Sequence, residues 1–563
     1  MSLRSRLRRF VSRCSGAVAR RVRAWNGADH RAYERGLSAR RTRYHLPPSE
    51  GQFSLLTTVY AGTPPEFFEE TIESVREQSL QGFEWIILGH GELSPELNRL
   101  LDLVDADVRV RVIRRETNLG IIGGMRVCLE AATGEYVIPL DSDDLLTPDA
   151  LQLVQHSLAQ HANPAFVYTD EALLIDGRVQ APFRRPAWDP ILNSDCSYVW
   201  HLTAFRRELA LKLGLYTDAG CEYCHDWDTI TRFAAAGQTP VHIPEVAYLW
   251  RKHAASHTNR ARGSTPDQTT VDSPAVASQK ALLERERQRL SRPELFEIEL
   301  FPVNRGTPEY HVSRKRVAPG SMTLVHLMPP SGPKRTLGAD LLRFVHATGY
   351  PFQSVLLVGA AADPGPLREE IGRALDELSD QFGLPRKDRP RVHSLTTGSD
   401  FAGFMKYDFD TEYVAVCSAG YVPEGDRWPW EALKLFERFP QVPLIAGRLL
   451  DSDGFVLSGG AAFSSDGEIV IPGRGLGRSD PGDYGLALKP CSVALVDDRF
   501  WIGREAFFRK LWSEQPPAAQ PAVSHLWPIA SEHHIVSAIL REMAGPGDLR
   551  IASTPLISAR WRG

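Results

Sequence analysis

Three carboxylates stand within four residues at Asp141-Ser142-Asp143-Asp144, directly after an apolar run ending at Leu140. In an open α/β sheet, ligands bind beyond the carboxyl ends of the strands. Carboxylates crowded there repel one another unless a cation neutralises them, and hard divalent ions such as Mg²⁺ or Mn²⁺ prefer oxygen ligands. Such an ion can bridge a nucleotide diphosphate and stabilise the charge that grows on a leaving group. The plainer reading is an acidic turn capping the helix expected at Pro148, with Asp144 near its positive dipole end.

Short apolar runs alternating with helical periodicity must position these groups. Residues 53–59, 84–88, 108–113 and 136–140 read as strands. Pro64-Pro65 opens a helix with Phe68, Ile72 and Val75 on one face; residues 123–132 form another, burying Met125, Leu129 and Ala132. Thr147-Pro148-Asp149 marks a helix start, with a capping hydroxyl, a proline at the first position and an acid near the positive end. Strands alternating with helices imply a mostly parallel sheet with helices on both faces. The polar stretch 254–272 reads as a linker, residues 274–290 as a charged helix, and a second α/β run begins near Met322. Gly134-Glu-Tyr-Val137 is echoed by Thr411-Glu-Tyr-Val414, which points to two tandem domains of one fold.

From about Phe53 to Ser256 an ordered series of blocks surrounds the acidic segment. It includes Tyr60, Asn118-Leu-Gly-Ile121 with Gly123-Gly124, Ala132-Thr-Gly-Glu-Tyr136, Leu140-Asp-Ser-Asp-Asp-Leu-Leu-Thr-Pro148 and Tyr168-Thr-Asp-Glu171. Phe183-Arg-Arg-Pro-Ala-Trp188, Tyr198-Val-Trp-His-Leu202, His225-Asp-Trp-Asp228 and Trp250-Arg-Lys-His253 follow. The series resembles the family 2 inverting glycosyltransferases of the GT-A fold. The resemblance implies an α/β chain of two tandem GT-A-like domains behind a basic N-terminal arm. It divides the chain into an arm (1–50), a catalytic domain (51–265), a linker and helix (266–320) and a degenerate second domain (321–563). It places metal-binding aspartates at Asp141, Asp143 and Asp144, Asp143 foremost, for Mg²⁺ or Mn²⁺. It places the general base at Asp226 and donor contacts at Tyr60, Asn118, Gly120, Asp141, Asp144, Arg251 and His253. Asp170, Glu171, His201 and Trp227 become acceptor or pocket positions, with hydrogen bonding to a neighbouring loop as the plainer role of Asp170 and Glu171.

The base assignment has a physical rationale of its own. Direct displacement at an anomeric carbon needs a carboxylate to take the acceptor hydroxyl proton. Asp226 opens an apparent helix with Ile230 and Phe233 facing the core, which fixes its position; an N-terminal cap is the plainer role. Asp228 is the spare, structural carboxylate. One departure from the family pattern is Leu88-Gly89-His90-Gly91-Glu92, where Gly89 takes the place of an aspartate that touches the nucleotide. Either His90 or Glu92 substitutes, or nucleotide recognition has changed.

Composition narrows the rest. With 563 residues, 43% hydrophobic and 24% charged, the chain has three or four domains' worth of sequence and excludes collagen-like, coiled-coil and wholly disordered classes. No run of about 18 apolar residues and no apolar leader core are found, so neither a membrane-spanning helix nor a secretory signal is expected. Seven scattered cysteines fit a reducing cytoplasm. The net charge of −4 conceals 13 arginines within residues 1–46 against two acids, a local +11 that leaves −15 elsewhere. Such an arm, with Leu3, Leu7, Phe10, Val11, Val18, Val22 and Trp25 interleaved, suits an anionic membrane surface or a domain-packing helix. Nucleic acid is not expected, because the acidic body repels a phosphate backbone.

Other signals carry less. Cys221-Glu-Tyr-Cys224-His225 matches a haem-attachment spacing but overlaps the proposed base, and a lone thiol pair lacks the second ligand pair of a zinc site. Gly473-Arg-Gly-Leu-Gly477 is no dinucleotide fingerprint, and His533-His534 lacks an i, i+4 partner. In the second half, Arg448-Leu-Leu-Asp-Ser-Asp-Gly454, Gly459-Gly460, Tyr484-Gly485 and Arg504-Glu-Ala-Phe507 again resemble the family. The metal position, however, reads Val416-Cys-Ser-Ala-Gly-Tyr-Val-Pro423, with no carboxylate, and only Glu532 stands near the expected base. The expected function is metal-dependent inverting transfer of a sugar from a nucleotide diphosphate to a glycan or lipid-linked acceptor in bacterial surface-polysaccharide assembly. The alternative is a non-catalytic glycan-binding scaffold.

Overall fold

The computed structural model describes residues 28–43, 52–253, 273–301, 308–327, 334–358, 365–385, 391–395, 409–463, 469–480, 483–497, 499–507 and 551–561. They fall into two compact units, one running to Glu286 and taking back Leu300–His311, the other made of Arg287–Glu299 and the chain from Val312 onward. The linker 254–272 and the Ser531–His534 segment lie outside the described residues.

The first unit begins with helix α1 (Ala28–Arg43). Strands β1 (Phe53–Val59), β2 (Phe83–His90), β3 (Val110–Arg115) and β4 (Tyr136–Pro139) alternate with α2 (Pro65–Arg76), α3 (Pro95–Asp105) and α4 (Gly120–Ala131). Next come β5 (Leu145–Leu146), α5 (Ala150–Gln160), β6 (Phe166–Ile175), β7 (Arg178–Phe183), α6 (Pro190–Asp195), β8 (Thr203–Arg206), α7 (Arg207–Lys212), α8 (His225–Ala235), β9 (Val241–Arg251) and α9 (Pro274–Gln288). The sheet runs β3-β2-β1-β4-β8-β6-β9-β5, with β7 against β6. β1 pairs in parallel with β2 and β4, as βαβ crossovers require. Phe53, Leu55, Trp85, Ile87, Tyr136 and Ile138 alternate toward a core closed by Phe68 and Ile72 of α2 and Leu97 and Leu101 of α3.

One local expectation needs correction. α5 begins at Ala150 rather than Pro148, and the Thr147 hydroxyl bonds the Asp149 carboxylate at 2.8 Å instead of capping the helix. The described part of the arm, by contrast, is the domain-packing helix that the sequence offered as one reading. α1 lies along edge strand β7, where Asp29 and His30 accept the Ala181 and Val179 amides. Arg40 is buried between Asp149 (3.0 Å), Glu245 (3.4 Å) and the Val246 carbonyl. Covering an exposed sheet edge removes a pairing hazard.

β10 (Phe296–Leu300) and β11 (Tyr310–Arg314) form a two-stranded ribbon that precedes the second main sheet in the chain. β12 (Met322–Leu327), α10 (Lys334–Thr348), β13 (Ser354–Val358), α11 (Gly365–Gln381), β14 (Arg391–Leu395), β15 (Tyr413–Ser418), β16 (Tyr421–Pro423), α12 (Trp428–Arg438), β17 (Leu444–Leu450) and β18 (Val456–Ser458) follow. A hairpin of β19 (Ala462–Phe463) and β20 (Ile469–Val470) precedes β21 (Cys491–Val493), β22 (Phe500–Arg504) and β23 (Ile551–Trp561). The main sheet runs β14-β13-β12-β15-β22-β17-β23-β16, with β18 against β17. Position by position this is the first sheet again. The directions match too: β15–β22 and β17–β22 are antiparallel like β4–β8 and β6–β8, and β17–β23 is parallel like β6–β9. The two units are therefore one topology used twice. Among the described residues no helix is long and apolar enough to cross a membrane.

Candidate active site

A cavity opens at the carboxyl ends of β1, β2 and β4, where ligand sites of open α/β sheets form. Tyr60, His90, Asn118, Gly120, Asp141, Asp143, His201, Glu222, His225 and Asp226 line it. Of the sequence-derived candidates, Asp144, Asp170, Glu171, Trp227, Arg251 and His253 are placed around this cavity rather than on its wall.

Asp144 is the buried member of the acidic trio. Its Oδ1 accepts the Arg251 amide at 2.7 Å and its Oδ2 accepts the Tyr248 hydroxyl at 2.8 Å. Burial, reinforced by Asp143 and Asp141, pushes its carboxyl well above the ordinary range. Asp144 thus clips the acidic turn to β9, and it neither caps a helix nor presents a spare oxygen to the cavity. Asp141 faces the cavity, its amide bonded to the Tyr248 hydroxyl at 3.3 Å. Asp143 also faces the cavity, and its Oδ2 lies 2.7 Å from His253 Nε2. The Arg251 guanidinium, 7% exposed, is no free phosphate contact: it binds the Asp143 carbonyl (2.8 Å) and Glu70 (2.6 Å) and lies over Phe67.

His201 bridges Asp141 (3.7 Å) and Glu171 (3.2 Å) and stacks on Tyr248. Burial opposes its charge, but the Glu171 hydrogen bond and the charges of Asp141, Glu171 and Asp226 outweigh it and raise the imidazole to about 10. It therefore stands as an imidazolium beside the carboxylates. Glu171 is held in turn by Arg185 at 2.8 Å, and Asp170 accepts the Arg185 amide and faces His242 at 2.8 Å. Asp170 and Glu171, each 1% exposed, support the wall from behind instead of lining it. Trp227 is likewise a core residue, its indole N–H donated to the Asn193 carbonyl at 2.8 Å.

One cavity group, Glu222, was given no role by the sequence, while His225 and His90 stand beside positions it did assign. Asp226 sits in the first turn of α8 with His225 Nε2 3.3 Å from its Oδ1. Glu222 reaches across to the start of α4, accepting the Ile121 and Ile122 amides at 2.5 and 3.1 Å. That cap explains Gly120: at φ +70° a Cβ there would lie 2.5 Å from Glu222 Oε1. The Gly89 position faces Leu101 and Leu93, so His90 is the strand residue aimed at the cavity, where burial lowers its imidazole against the pull of Glu222. Glu92 is exposed and outside the wall. Asp228 is structural, paired with Arg232 at 2.8 Å and Arg285 at 2.5 Å.

One group of side chains and one neighbouring pair carry donors of the type a hard divalent cation takes. Asp141, Asp144 and His201 bring ligand atoms within 4.8 Å of one another. Asp143 and His253, paired at 2.7 Å, offer a carboxylate oxygen and an imidazole nitrogen outside that group. Both Asp144 oxygens are committed to β9, whereas Asp143, on the same acidic turn, spends one oxygen on His253. Oxygen with one imidazole suits Mg²⁺ or Mn²⁺.

Residues 54–214 match Glycosyl transferase family 2. The chain is 34% identical to uncharacterized protein y4gI of Sinorhizobium fredii over 43% of its own length and 26% of that protein. It is 28% identical to the O-antigen biosynthesis protein RfbC of Myxococcus xanthus over 54% of its length and 23% of RfbC. It thus spans about a quarter of these two relatives. Among solved structures, S. aureus TarS with UDP-GlcNAc aligns over 42% of this chain and 66% of TarS, at 16% identity and a TM-score of 0.34. The match to Glycosyl transferase family 2 thus falls within the first of the two α/β units that share one topology.

The Glu222 cap predicts a non-additive pair. Gly120→Ala should cost more than about 1 kcal/mol in urea unfolding. In a Glu222→Ala background the same change should cost less, by at least about 0.5 kcal/mol. Strict additivity would show that the carboxylate is not what demands glycine.

Proposed function

We propose that the first unit is a metal-dependent inverting glycosyltransferase that moves a sugar from a nucleotide-diphosphate donor to a glycan or lipid-linked glycan acceptor. The observation that carries this reading is the meeting of Asp226 with Asp141 and Asp143 in one cavity at the sheet's carboxyl edge. Asp141 and Asp143, with His253, would hold Mg²⁺ or Mn²⁺, which when bound neutralises charge on the donor diphosphate. Tyr60, Asn118 and Gly120 lie where the donor would enter. The acceptor hydroxyl oxygen forms its bond to the anomeric carbon as the bond from that carbon to the diphosphate oxygen breaks. Asp226 takes the hydroxyl proton, with His225 fixing its orientation, and the nucleoside diphosphate departs. The relation to an O-antigen biosynthesis protein supports a place in surface-polysaccharide assembly.

Among the described residues of the second unit, the positions matching the acidic turn carry no carboxylate. By strand register Tyr413 matches Tyr136, so Ser418 and Tyr421 stand where Asp141 and Asp144 do, and Arg499 stands where His201 does. We assign it to acceptor or partner binding rather than to transfer.

Asp226→Asn should keep nucleotide-sugar binding within about twofold and lower transfer by at least roughly a hundredfold. Near-wild-type transfer would remove Asp226 as the base. A glycan-binding scaffold without catalysis would instead turn over no nucleotide sugar, with or without Mn²⁺.

We also propose that residues 1–27, with eight of the 13 arginines of the arm, reach an anionic membrane surface. Each contributes on the order of 1 kcal/mol near such a surface, screened over about 8 Å at physiological salt. The full chain should float with anionic vesicles and be released by high salt, and a chain lacking residues 1–27 should not. Equal flotation of the two would place the contact elsewhere.

A further inference from the structure

The second unit, emptied of carboxylates at the metal position, carries a cation where the first carries an acid. Phe166 pairs with Phe205 in the first sheet, and Leu444 pairs with the matching Gly503 in the second. Counting four residues on, Arg448 occupies the position of Asp170. Both strands break register at this point, so the match survives the irregularity.

The surroundings of Arg448 are unusual for a half-buried guanidinium with a buried Nε. Its one hydrogen-bond acceptor is the Ala487 carbonyl at 2.6 Å, and its Nε is buried without a partner. Among the described residues, the charged and titratable groups that act on it are Arg478 and the Cys491 thiol, with no carboxylate. Arg478 is itself bound to Glu424 at 3.1 Å. Other arginines of the unit do hold acids: Arg314 with Glu437, Arg499 with Asp497, Arg560 with Glu424. Burial and the neighbouring Arg478 lower the Arg448 guanidinium to about 10. On the Nε side stand Gly459, whose absent Cβ would lie 3.8 Å away, and the Ser553 hydroxyl. The residue keeps part of its surface open.

An uncompensated buried charge is costly, and it persists in a fold when something outside the chain supplies the counter-charge. A guanidinium presents a planar fork of donors matched to two oxygens of a carboxylate or phosphate. We propose that Arg448 anchors an oxyanion site in the second unit, which takes the carboxylate of an acidic sugar or a phosphate carried by a glycan ligand. The site does not depend on catalysis in the first unit. It gives the second copy of the fold a recognition chemistry that the first copy lacks.

The test is calorimetric unfolding of the full chain in chloride buffer, at constant ionic strength, titrated with sodium phosphate or sodium glucuronate. The wild-type transition should rise by about 2–4 °C at tenfold excess over the dissociation constant. Arg448→Met should abolish that rise and unfold at a higher temperature than wild type when no oxyanion is present. Arg448→Lys should keep a smaller rise. Whichever anion gives the larger shift identifies the source as a carboxylate or a phosphate. An equal rise in Arg448→Met would overturn the site, as would a loss of stability in that variant without any oxyanion effect in wild type. If the methionine variant does not fold, wild-type chain labelled at arginine Nε gives the answer: the buried Nε–H resonance lost in Arg448→Lys should shift on adding the anion, and no shift overturns the proposal.

Discussion

The candidate site depends on one buried carboxyl group. Asp144 spends both oxygens on β9, through the Tyr248 hydroxyl and the Arg251 amide, and so fixes the turn that follows β4. With that anchor in place, Asp141 and Asp143 turn toward the cavity and His253, two residues beyond the end of β9, meets Asp143. Three carboxylates so close would drive one another apart in a low-dielectric setting. The arrangement holds because their environments differ: one is buried with its acidity suppressed, one faces an imidazolium, and one faces a second imidazole. Around this centre Arg185 holds Glu171, Glu171 holds His201, and Glu222 ties the base-bearing turn to α4.

The second unit shows how little the backbone decides by itself. Its strand order and directions repeat those of the first, yet Ser418, Tyr421, Arg499 and Arg448 replace Asp141, Asp144, His201 and Asp170. At the same edge of the same sheet the acidic turn loses its carboxylates, and Arg499, in the place of His201, is bound to Asp497. Chemistry resides in the side chains grafted on a fold, and duplication leaves the second graft free to diverge.

Much of the first unit was legible in the sequence because buried parallel strands read as continuous apolar runs, and β1, β2 and β4 fall close to where those runs stand. The tandem architecture was legible through one short echo, Glu-Tyr-Val at each fourth strand. What sequence alone could not reveal was pairing over long separations. Asp144 and Arg251 are 107 residues apart, and nothing local distinguishes a carboxylate that binds a backbone amide from one that faces a ligand. Arg40 reads as one more basic residue of the arm until Asp149 and Glu245 are seen around it. Trp227 and Glu171 sit beside motif residues in sequence, but strand and helix periodicity turns them to the opposite side. Glu222 was masked by the two cysteines that flank it.

The central claim is that Asp143 and His253 form the cation site with Asp141, and that Asp144 and His201 are its supports. Direct titration of Mn²⁺ into the full chain, followed by calorimetry in the presence of a nucleoside diphosphate, tests it most directly. Asp143→Asn and His253→Gln should each weaken binding by at least roughly tenfold, a loss that even outer-sphere partners commonly cause, while His201→Gln should change it far less. Loss of Mn²⁺ binding in His201→Gln, with His253→Gln unaffected, would contradict the account and move the ion to the group formed by Asp141, Asp144 and His201.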